Sequence, residues 1–471
     1  MQYGARKPEN SKVDHVHTLR NKAKAQFDGA SSMNLPNAFP QFPTASDFEF
    51  VDRVHYDLTP STEKDDFGQD FAVPRTPIET DREPRVAIIG IGYVGHHLVQ
   101  IFSKCFYVIG YDVSETRVED MTEHFANNER VRLTTQAREL SQATHFLVAV
   151  PTLLLPDKSI DSSYLRNALS MVANQARPGS TVVIESSVAV GMTREFLGPL
   201  ALKNGFYAGM SPERVDPGRI EPPSHAIPKL VSGLDDIAPG SLHVIQKLYC
   251  TVFEHVVPVS TPEVAEMTKL YENCQRMVCI AYANEMADAC VSHGINPFEV
   301  CQAAATKPFG YMPFTPGLGV GGHCIPINPH YLLSNNSFPI LQSASEQMAF
   351  RPVQIAKRIV ARLCNPATPG HRPRILVVGM GFKAGQAHLV NSPGLKLAQS
   401  LVLTGQVEVT WVDPLVSQDA IPQIPKLEVE DWTESSIDLR FDLVVVAFKQ
   451  QGLNFSMLSR LKIADVEMWC S

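Results

Sequence analysis

Four short stretches of this 471-residue chain carry residue types and spacings that chemistry can use. The first is Gly90-Ile91-Gly92-Tyr93-Val94-Gly95, with Asp112 twenty residues after Gly92. In such a pattern Gly90 permits a tight turn, Gly92 lets backbone approach a pyrophosphate, and Gly95 lets a helix pack closely on a strand. A helix opening there offers unpaired N–H groups to phosphates. A carboxylate at Asp112 suits an adenosine ribose diol, which favours NAD over NADP. The second, Gly321-Gly322-His323-Cys324-Ile325-Pro326, sets a thiol shortly after two glycines, which remove side-chain bulk around it so that a substrate carbon could approach. That pattern serves a reactive thiol or a structural cysteine in a glycine turn, because reactivity depends on surroundings. His323, adjacent in sequence, is not read as its base. The third, Lys269 and Asn273, is an i,i+4 pair sharing one helix face, which by spacing alone reads as a solvated face. The fourth is Glu213 in Ser211-Pro-Glu-Arg-Val-Asp-Pro-Gly218. Its carboxylate falls either at the ligand end of an α/β sheet or in a surface-loop ion pair.

These residues need elements to hold them. From Val86 onward short apolar runs (VAIIG, FYVIGYD, HFLVAVP, TVVIESS) alternate with helix-length amphipathic segments, the sign of βαβ units feeding a parallel sheet. Residues 262–295 read as one long central helix with Ala265, Leu270, Val278, Ala281 and Met286 at apolar spacing. A shorter helical pattern, PFEVCQAAAT, precedes the Gly- and Pro-rich segment that carries Cys324. RILVVGMGF, VEVTWVDP and FDLVVVAFK then read as strands of a second α/β half. The predicted fold is α/β, with two Rossmann-like doubly wound domains joined by a long central helix. The divisions are an N-terminal extension (1–82), an NAD-binding domain (83–260), a central helical domain with the cysteine loop (261–352) and a C-terminal domain (353–471). The extension is rich in breaker clusters and reads as mostly disordered, with a short ordered stretch around Phe48–Tyr56.

Composition narrows the class. Lys+Arg number 41 and Asp+Glu 49, a net charge of −8, with 44% hydrophobic and 19% charged residues. This is an ordinary globular balance. It argues against nucleic acid or a membrane surface as partner. No apolar run reaches the length of a membrane span, and the N-terminus has no apolar signal core. Nine cysteines without CxxC pairs read as reduced thiols of a cytoplasmic protein, mostly small buried hydrophobes, with no metal site.

Taken in order, IGYVG, AVPT, IESSVAVGMT, SPERVDPG, AEMTKLYEN, ATKPFGYMPFTPGLGVGGHCIP and GMGFK with NSPGLKL resemble the UDP-glucose/GDP-mannose dehydrogenase family over about residues 84–450. The resemblance lies nearest the UDP-N-acetyl-D-mannosamine and UDP-N-acetylglucosamine 6-dehydrogenase branch. It implies four-electron oxidation of a sugar C6 alcohol by two NAD in succession. A thiolate holds the aldehyde as a thiohemiacetal, whose oxidation leaves a thioester for water to hydrolyse. It assigns Cys324 as nucleophile, Lys269 and Asn273 to the developing oxyanion and a water, and Glu213 to thioester hydrolysis. Gly90, Gly92, Tyr93, Val94, Gly95, Asp112, Arg117, Thr152 and Ser187 would contact NAD. Lys269, Asn273, Gly319, Gly321 and Lys383 would contact a UDP-sugar. A homodimer through the central helix is also implied.

Two departures stand out. The family pattern GGxCxPxD places an acid four residues after the cysteine, where this chain has Asn328. An amide cannot act as a base. FKxxxDDxRxSP reads here Phe382-Lys-Ala-Gly-Gln-Ala387-His388-Leu-Val390-Asn-Ser-Pro393, without either acid or the arginine. Two alternatives therefore stay open. One is a family member that binds NAD or nucleotide sugar with impaired or no turnover. The other is a two-electron β-hydroxyacid-type dehydrogenase, which needs no thiol and against which the GGHC stretch speaks.

Overall fold

The computed structural model describes residues 83–216, 221–364 and 372–470. The N-terminal extension, including Phe48–Tyr56, lies outside the described residues, as do the last two positions of the SPERVDPG stretch.

The first half builds an eight-stranded sheet. Its elements run β1 (Arg85–Ile89), α1 (Tyr93–Phe102), β2 (Tyr107–Tyr111), α2 (Glu115–His124), β3 (Val131–Thr134) and β4 (His145–Val148). A small antiparallel hairpin, β5 (Leu153–Leu154) and β6 (Ile160–Asp161), precedes α3 (Ser163–Gln175). Then come β7 (Thr181–Ile184), α4 (Met192–Asn204), β8 (Tyr207–Met210), β9 (Lys229–Gly233), α5 (Ser241–Cys250) and β10 (Val256–Pro258). The spatial order is β3-β2-β1-β4-β7-β8-β9-β10. The first six are parallel and reproduce the dinucleotide-fold order with its switch point between β1 and β4. β1 is apolar and fully buried from Val86 to Ile89, as a central strand covered by helices on both faces must be. β9 breaks the pattern by running antiparallel to β8.

The long helix forms as read: α6 spans Pro262–Ser292, with Pro262 in its first turn and Glu263 favourably placed against the helix dipole. Ala265, Leu270 and Ala281 are buried and Val278 partly so, whereas Met286 is exposed. α7 (Pro297–Ala305) and α8 (Asn328–Leu333) follow. A further long helix, α9 (Pro339–Leu363), joins the halves. Its Leu341, Ala344 and Met348 enter one core and its Ile355, Ala356, Ile359 and Val360 the other. Arg351 on α9 grips Asp288 of α6 with a two-pronged ion pair at 2.7 and 3.1 Å.

The second half contains β11 (Arg374–Val378), α10 (Pro393–Leu403), β12 (Glu408–Val412), α11 (Glu434–Arg440), β13 (Leu443–Val446) and β14 (Asp465–Met468). Its four strands are all parallel in the order β12-β11-β13-β14. The turn after the first strand repeats in both halves. A Cβ on Gly95 would lie 1.8 Å from the Gly90 oxygen, and one on Gly394 would lie 2.2 Å from the Gly379 oxygen. Asp112 closes β2 and accepts the Ile91 N–H; Asp413 closes β12 and accepts those of Met380 and Gly381. The second copy carries an insertion, residues 382–392, between its glycine turn and α10.

Candidate active site

The glycine turn after β1 is shaped for an anion. α1 starts at Gly92 without any side-chain cap and with no acid in its first turn, so its leading N–H groups remain for a ligand. A Cβ on Gly92 would meet nothing within 4 Å, the open space that a pyrophosphate requires. Asp112 accepts from the N–H groups of Ile91 and Ser114, both at 3.0 Å, and is only half-buried. Arg117 donates Nε to the Ile91 oxygen at 3.0 Å, bracing the turn from the other side. Tyr93 and Val94 open the helix, Tyr93 exposed and Val94 partly buried. These residues fit a dinucleotide.

At the strand ends, Thr152 donates its hydroxyl to the Ser187 carbonyl at 2.7 Å, linking the segments that follow β4 and β7. Tyr331 of α8 donates to the Thr152 carbonyl at 3.0 Å. That bond fastens the cysteine-bearing segment onto the dinucleotide half. Cys324 is exposed, and its carbonyl accepts the Asn328 N–H at 2.9 Å. Of the nine cysteines only Cys274 and Cys290 are buried, fewer than the sequence reading expected. Burial pushes the Cys274 thiol up to about 12, leaving it inert.

Lys269 and Asn273 do not sit on a solvated face. Both are buried, at 8% and 5% exposure, on the same side of α6 as Ala265, Leu270 and Cys274. Burial lowers the Lys269 pKa from the ordinary lysine value, opposed by the nearby carboxylates of Glu213 and Glu272. Asn273 donates Nδ2 to Asn328 Oδ1 at 2.5 Å, with Asn328 itself buried.

Glu213 also departs from a surface ion pair. It follows β8 directly, and its Oε1 accepts the N–H groups of Arg214 (2.7 Å) and Val215 (2.9 Å). Its Oε2 accepts Lys229 Nζ at 3.0 Å. Burial would raise this carboxyl, but the lysine charge, these donors and Lys269 hold it below the ordinary glutamate value. Arg214 pairs with Glu272, anchoring the same loop on α6. Asp216, three residues on from Glu213, accepts both contacts of Lys383 Nζ at 3.2 Å from the second half.

The glycines before Cys324 pack rather than gape. A Cβ on Gly319 would press on the Met348 carbonyl of α9, and one on Gly321 on Phe382, Pro393 and Asn391. Gly322 donates its N–H to the Val390 carbonyl and accepts from Asn391 Nδ2, each at 2.9 Å. The cysteine loop thus lies flush on the 382–392 insertion. Gly319 faces α9; Lys269, Asn273, Asn328, Glu213 and Lys383 are linked through α6, α8 and the loop after β8. The sequence reading missed Glu185, Lys229, Asp216 and Tyr331. Glu185 and Asp216 lay in plain view in IESS and SPERVDPG, but no local spacing marked Lys229 or Tyr331.

Comparison with known proteins fits this arrangement. Residues 84–253 match the NAD binding domain and residues 263–345 the central domain of the UDP-glucose/GDP-mannose dehydrogenase family. The chain is 30% identical over 400 residues to the UDP-N-acetyl-D-mannosamine dehydrogenase of Pyrococcus horikoshii, covering 77% of this chain and 94% of that protein. It is 30% identical over 370 residues to a UDP-N-acetyl-D-glucosamine 6-dehydrogenase of Pseudomonas aeruginosa, covering 72% and 84%. The solved UDP-D-ManNAc dehydrogenase from Pyrococcus horikoshii superposes with a TM-score of 0.68 at 25% identity over 82% of this chain and 99% of that one. A UDP-glucose dehydrogenase from Pyrobaculum islandicum shares the fold, with a TM-score of 0.69 at 20% identity over 85% and 96%. A nucleotide-ready glycine turn and two Rossmann-like halves meeting around a thiol, together with this kinship, lead to one conclusion: the chain belongs to the UDP-glucose/GDP-mannose dehydrogenase family of NAD-dependent oxidoreductases that act on nucleotide sugars.

Proposed function

We propose that the chain oxidises the C6 alcohol of a UDP-N-acetylhexosamine to the uronate through a Cys324 thiohemiacetal and thioester. The observation that carries this reading is the buried Lys269 on α6, one turn from Asn273, whose amide bonds Asn328 in the turn that begins at Cys324. Gly90–Gly95, with Asp112 and Arg117 at the adenosine end and Thr152 and Ser187 toward the nicotinamide, would hold NAD, which when bound would supply the hydride acceptor for each of the two oxidations. Lys269, with its pKa lowered by burial, can take a proton from the substrate hydroxyl and then face the oxyanion as an ammonium. Cys324 adds to the aldehyde so that it is not lost between the two oxidations. Glu213 takes the proton of the hydrolytic water. Asn273 and Asn328 hold one another beside the thiol. Lys383 reaches the nucleotide sugar from the second half, and Gly319 and Gly321 shape the loop beneath it.

The relatives' own names, UDP-N-acetyl-D-mannosamine dehydrogenase and UDP-N-acetyl-D-glucosamine 6-dehydrogenase, support the choice of an N-acetylhexosamine. Exposed Met267, Tyr271, Tyr282 and Met286 along α6 support a homodimer through that helix. The chemistry belongs in a reducing cytoplasm, where Cys324 stays a thiol.

Asn328 favours a second reading, a family member that binds but turns over slowly. One assay separates the two. Purified protein with excess NAD is given UDP-glucose, UDP-GlcNAc, UDP-ManNAc or GDP-mannose, and NADH is counted per sugar consumed. Sustained formation of about two NADH per sugar, as two successive hydride transfers require, supports the first reading. A burst that stops supports the second. Absence of NADH with every sugar, from protein that binds NAD, refutes the dehydrogenase reading. Cys324→Ser then tells four-electron from two-electron chemistry, since only the former stalls.

A further inference from the structure

β9 meets β8 antiparallel, with Gly209 opposite Gly233 and Met210 opposite Ser232. Continuing that register past the end of β8 sets Lys229, the first residue of β9, opposite Glu213. The ammonium is buried and lies 2.7 Å from Glu185 Oε2 and 3.0 Å from Glu213 Oε2. Glu185, just past the end of β7, is wholly buried, and its other oxygen accepts the Tyr249 hydroxyl of α5. One cation therefore serves a fully buried carboxylate and one that is mostly buried. With both ionised the trio carries a net negative charge, which a low-dielectric site tolerates poorly, so one of the two carboxylates takes up a proton as the pH falls through neutrality. Geometry decides where that proton resides. Glu213 has two backbone N–H donors and Lys229, with Lys269 nearby; Glu185 has Lys229 and one hydroxyl. Burial accordingly pushes Glu185 up to about 7, while Glu213 stays low.

We propose that Lys229 is a positioning residue for the hydrolytic step, holding Glu213 ionised and passing the proton it collects to the Glu185–Tyr249 pair. The inference rests on the thioester reading above. Water oxygen bonds to the thioester carbonyl carbon and its proton goes to Glu213. The C–S bond breaks and its electron pair returns to Cys324 sulfur, leaving the product acid. With Glu185 ionised at the start, Lys229 accepts the proton from Glu213 as it gives one to Glu185, so the ammonium persists and Glu185 ends neutral until it releases that proton to solvent before the next turnover. The groups facing Glu213 are Lys229 of β9, Lys269 of α6 and His97 of α1, with Glu185 and Tyr249 beyond the lysine.

The test uses the full chain and reads ionisation directly. The carboxyl bands of isotope-labelled glutamate are followed by infrared spectroscopy from pH 5 to 9, with Glu213→Gln and Glu185→Gln assigning the bands. In the wild-type protein Glu213 is ionised throughout and Glu185 titrates near neutrality. Lys229→Met moves the Glu213 midpoint upward by at least about one pH unit, as loss of a buried counter-charge requires, and Lys229→Arg restores it. In turnover, Lys229→Met slows steady-state NADH formation more than the first hydride transfers and shifts the acid limb of kcat the same way. A Glu213 band and acid limb unmoved by Lys229→Met overturn the proposal. Should that variant fail to fold, Glu185→Gln decides. Loss of the kcat dependence near pH 7 with Glu213 still ionised supports the proposal; an unaltered profile overturns it. A wild-type chain that forms no NADH refutes the thioester reading, and the infrared titration then judges Lys229 by itself.

Discussion

Replacing Asn328 by Asp addresses the sharpest departure in the chain. Asn328 is 3% exposed, its Oδ1 accepts Asn273 Nδ2 at 2.5 Å, and its N–H bonds the Cys324 carbonyl at 2.9 Å. The substitution is nearly isosteric and keeps the acceptor that Asn273 needs, so the local geometry should hold. What changes is proton affinity: a carboxylate accepts a proton and an amide does not. A positioned base contributes about 10²–10⁴-fold, or roughly 2.7–5.4 kcal/mol at 1.36 kcal/mol per tenfold. Burial raises the introduced carboxyl, and the Asn273 amide that donates to it favours its ionised form. The assay is stopped-flow NADH absorbance with the preferred sugar. The wild-type chain should give a burst approaching two NADH per site and then a sustained steady state slower than that burst. In Asn328→Asp the steady-state rate should rise toward that of the burst, by a factor within the range above, while the first hydride transfers keep their rate. A steady state changed by less than about threefold would refute the reasoning, because the missing base would then not limit hydrolysis. Equal acceleration of burst and steady state would relocate the role of position 328 to thiolate formation.

Other outcomes follow from the same geometry. Gly95→Ala should yield little folded protein, since its Cβ would sit 1.8 Å from a backbone oxygen. Gly92→Ala, with nothing within 4 Å and an ordinary φ of −63°, should fold yet bind NAD more weakly by fluorescence titration. Asp216→Asn removes the negative charge that faces Lys383 Nζ at 3.2 Å. If Lys383 serves the nucleotide sugar, KM should fall by about two- to fivefold, the scale of a partly exposed ion pair, with kcat unchanged. His145 on β4 is lowered by burial to about 4 from an ordinary 6.5. It is neutral in the fold, so its contribution is complete above pH 6.5 and is lost as pH falls toward 4, amounting to about 3 kcal/mol in full. His145→Gln should flatten the fall in urea midpoint across that window.

The sequence disclosed what depends on backbone and period. Val86–Ile89, the glycines at 90, 92 and 95, and Asp112 announced a strand, a turn and a carboxylate at the next strand end, and each lies where the spacing demanded. α6 was legible because nothing in its interior breaks a helix. The direction its polar residues face was not. Lys269 and Asn273 look like a solvated pair, yet they share the stripe of Ala265, Leu270 and Cys274, so the apolar pattern already contained the hint that they point inward. The cysteine loop misled differently. Glycines at 319 and 321 suggest room for a substrate, but Met348 and Phe382 occupy the places their side chains would take. Only contact between segments distant in sequence shows that.

Lys229 was out of reach for a deeper reason. Read locally, IPKLVSG is a lysine opening a short apolar strand, indistinguishable from a solvent-facing edge residue. Its meaning depends on strand direction. A parallel β9 would carry position 229 to the opposite end of β8 from Glu213, where its charge could pair with neither carboxylate. The antiparallel pairing inverts the strand, and residues at the start of β9 arrive at the ligand end of the sheet. Direction therefore does what spacing does elsewhere in the molecule: it delivers a cation to Glu185 and Glu213, whose burial without one would be prohibitive. On this reasoning the reversed strand is part of the chemistry as well as the architecture. A chain that kept Glu185 and Glu213 but placed a neutral residue at 229 should keep one of the two protonated, and should hydrolyse its thioester only where that proton can leave.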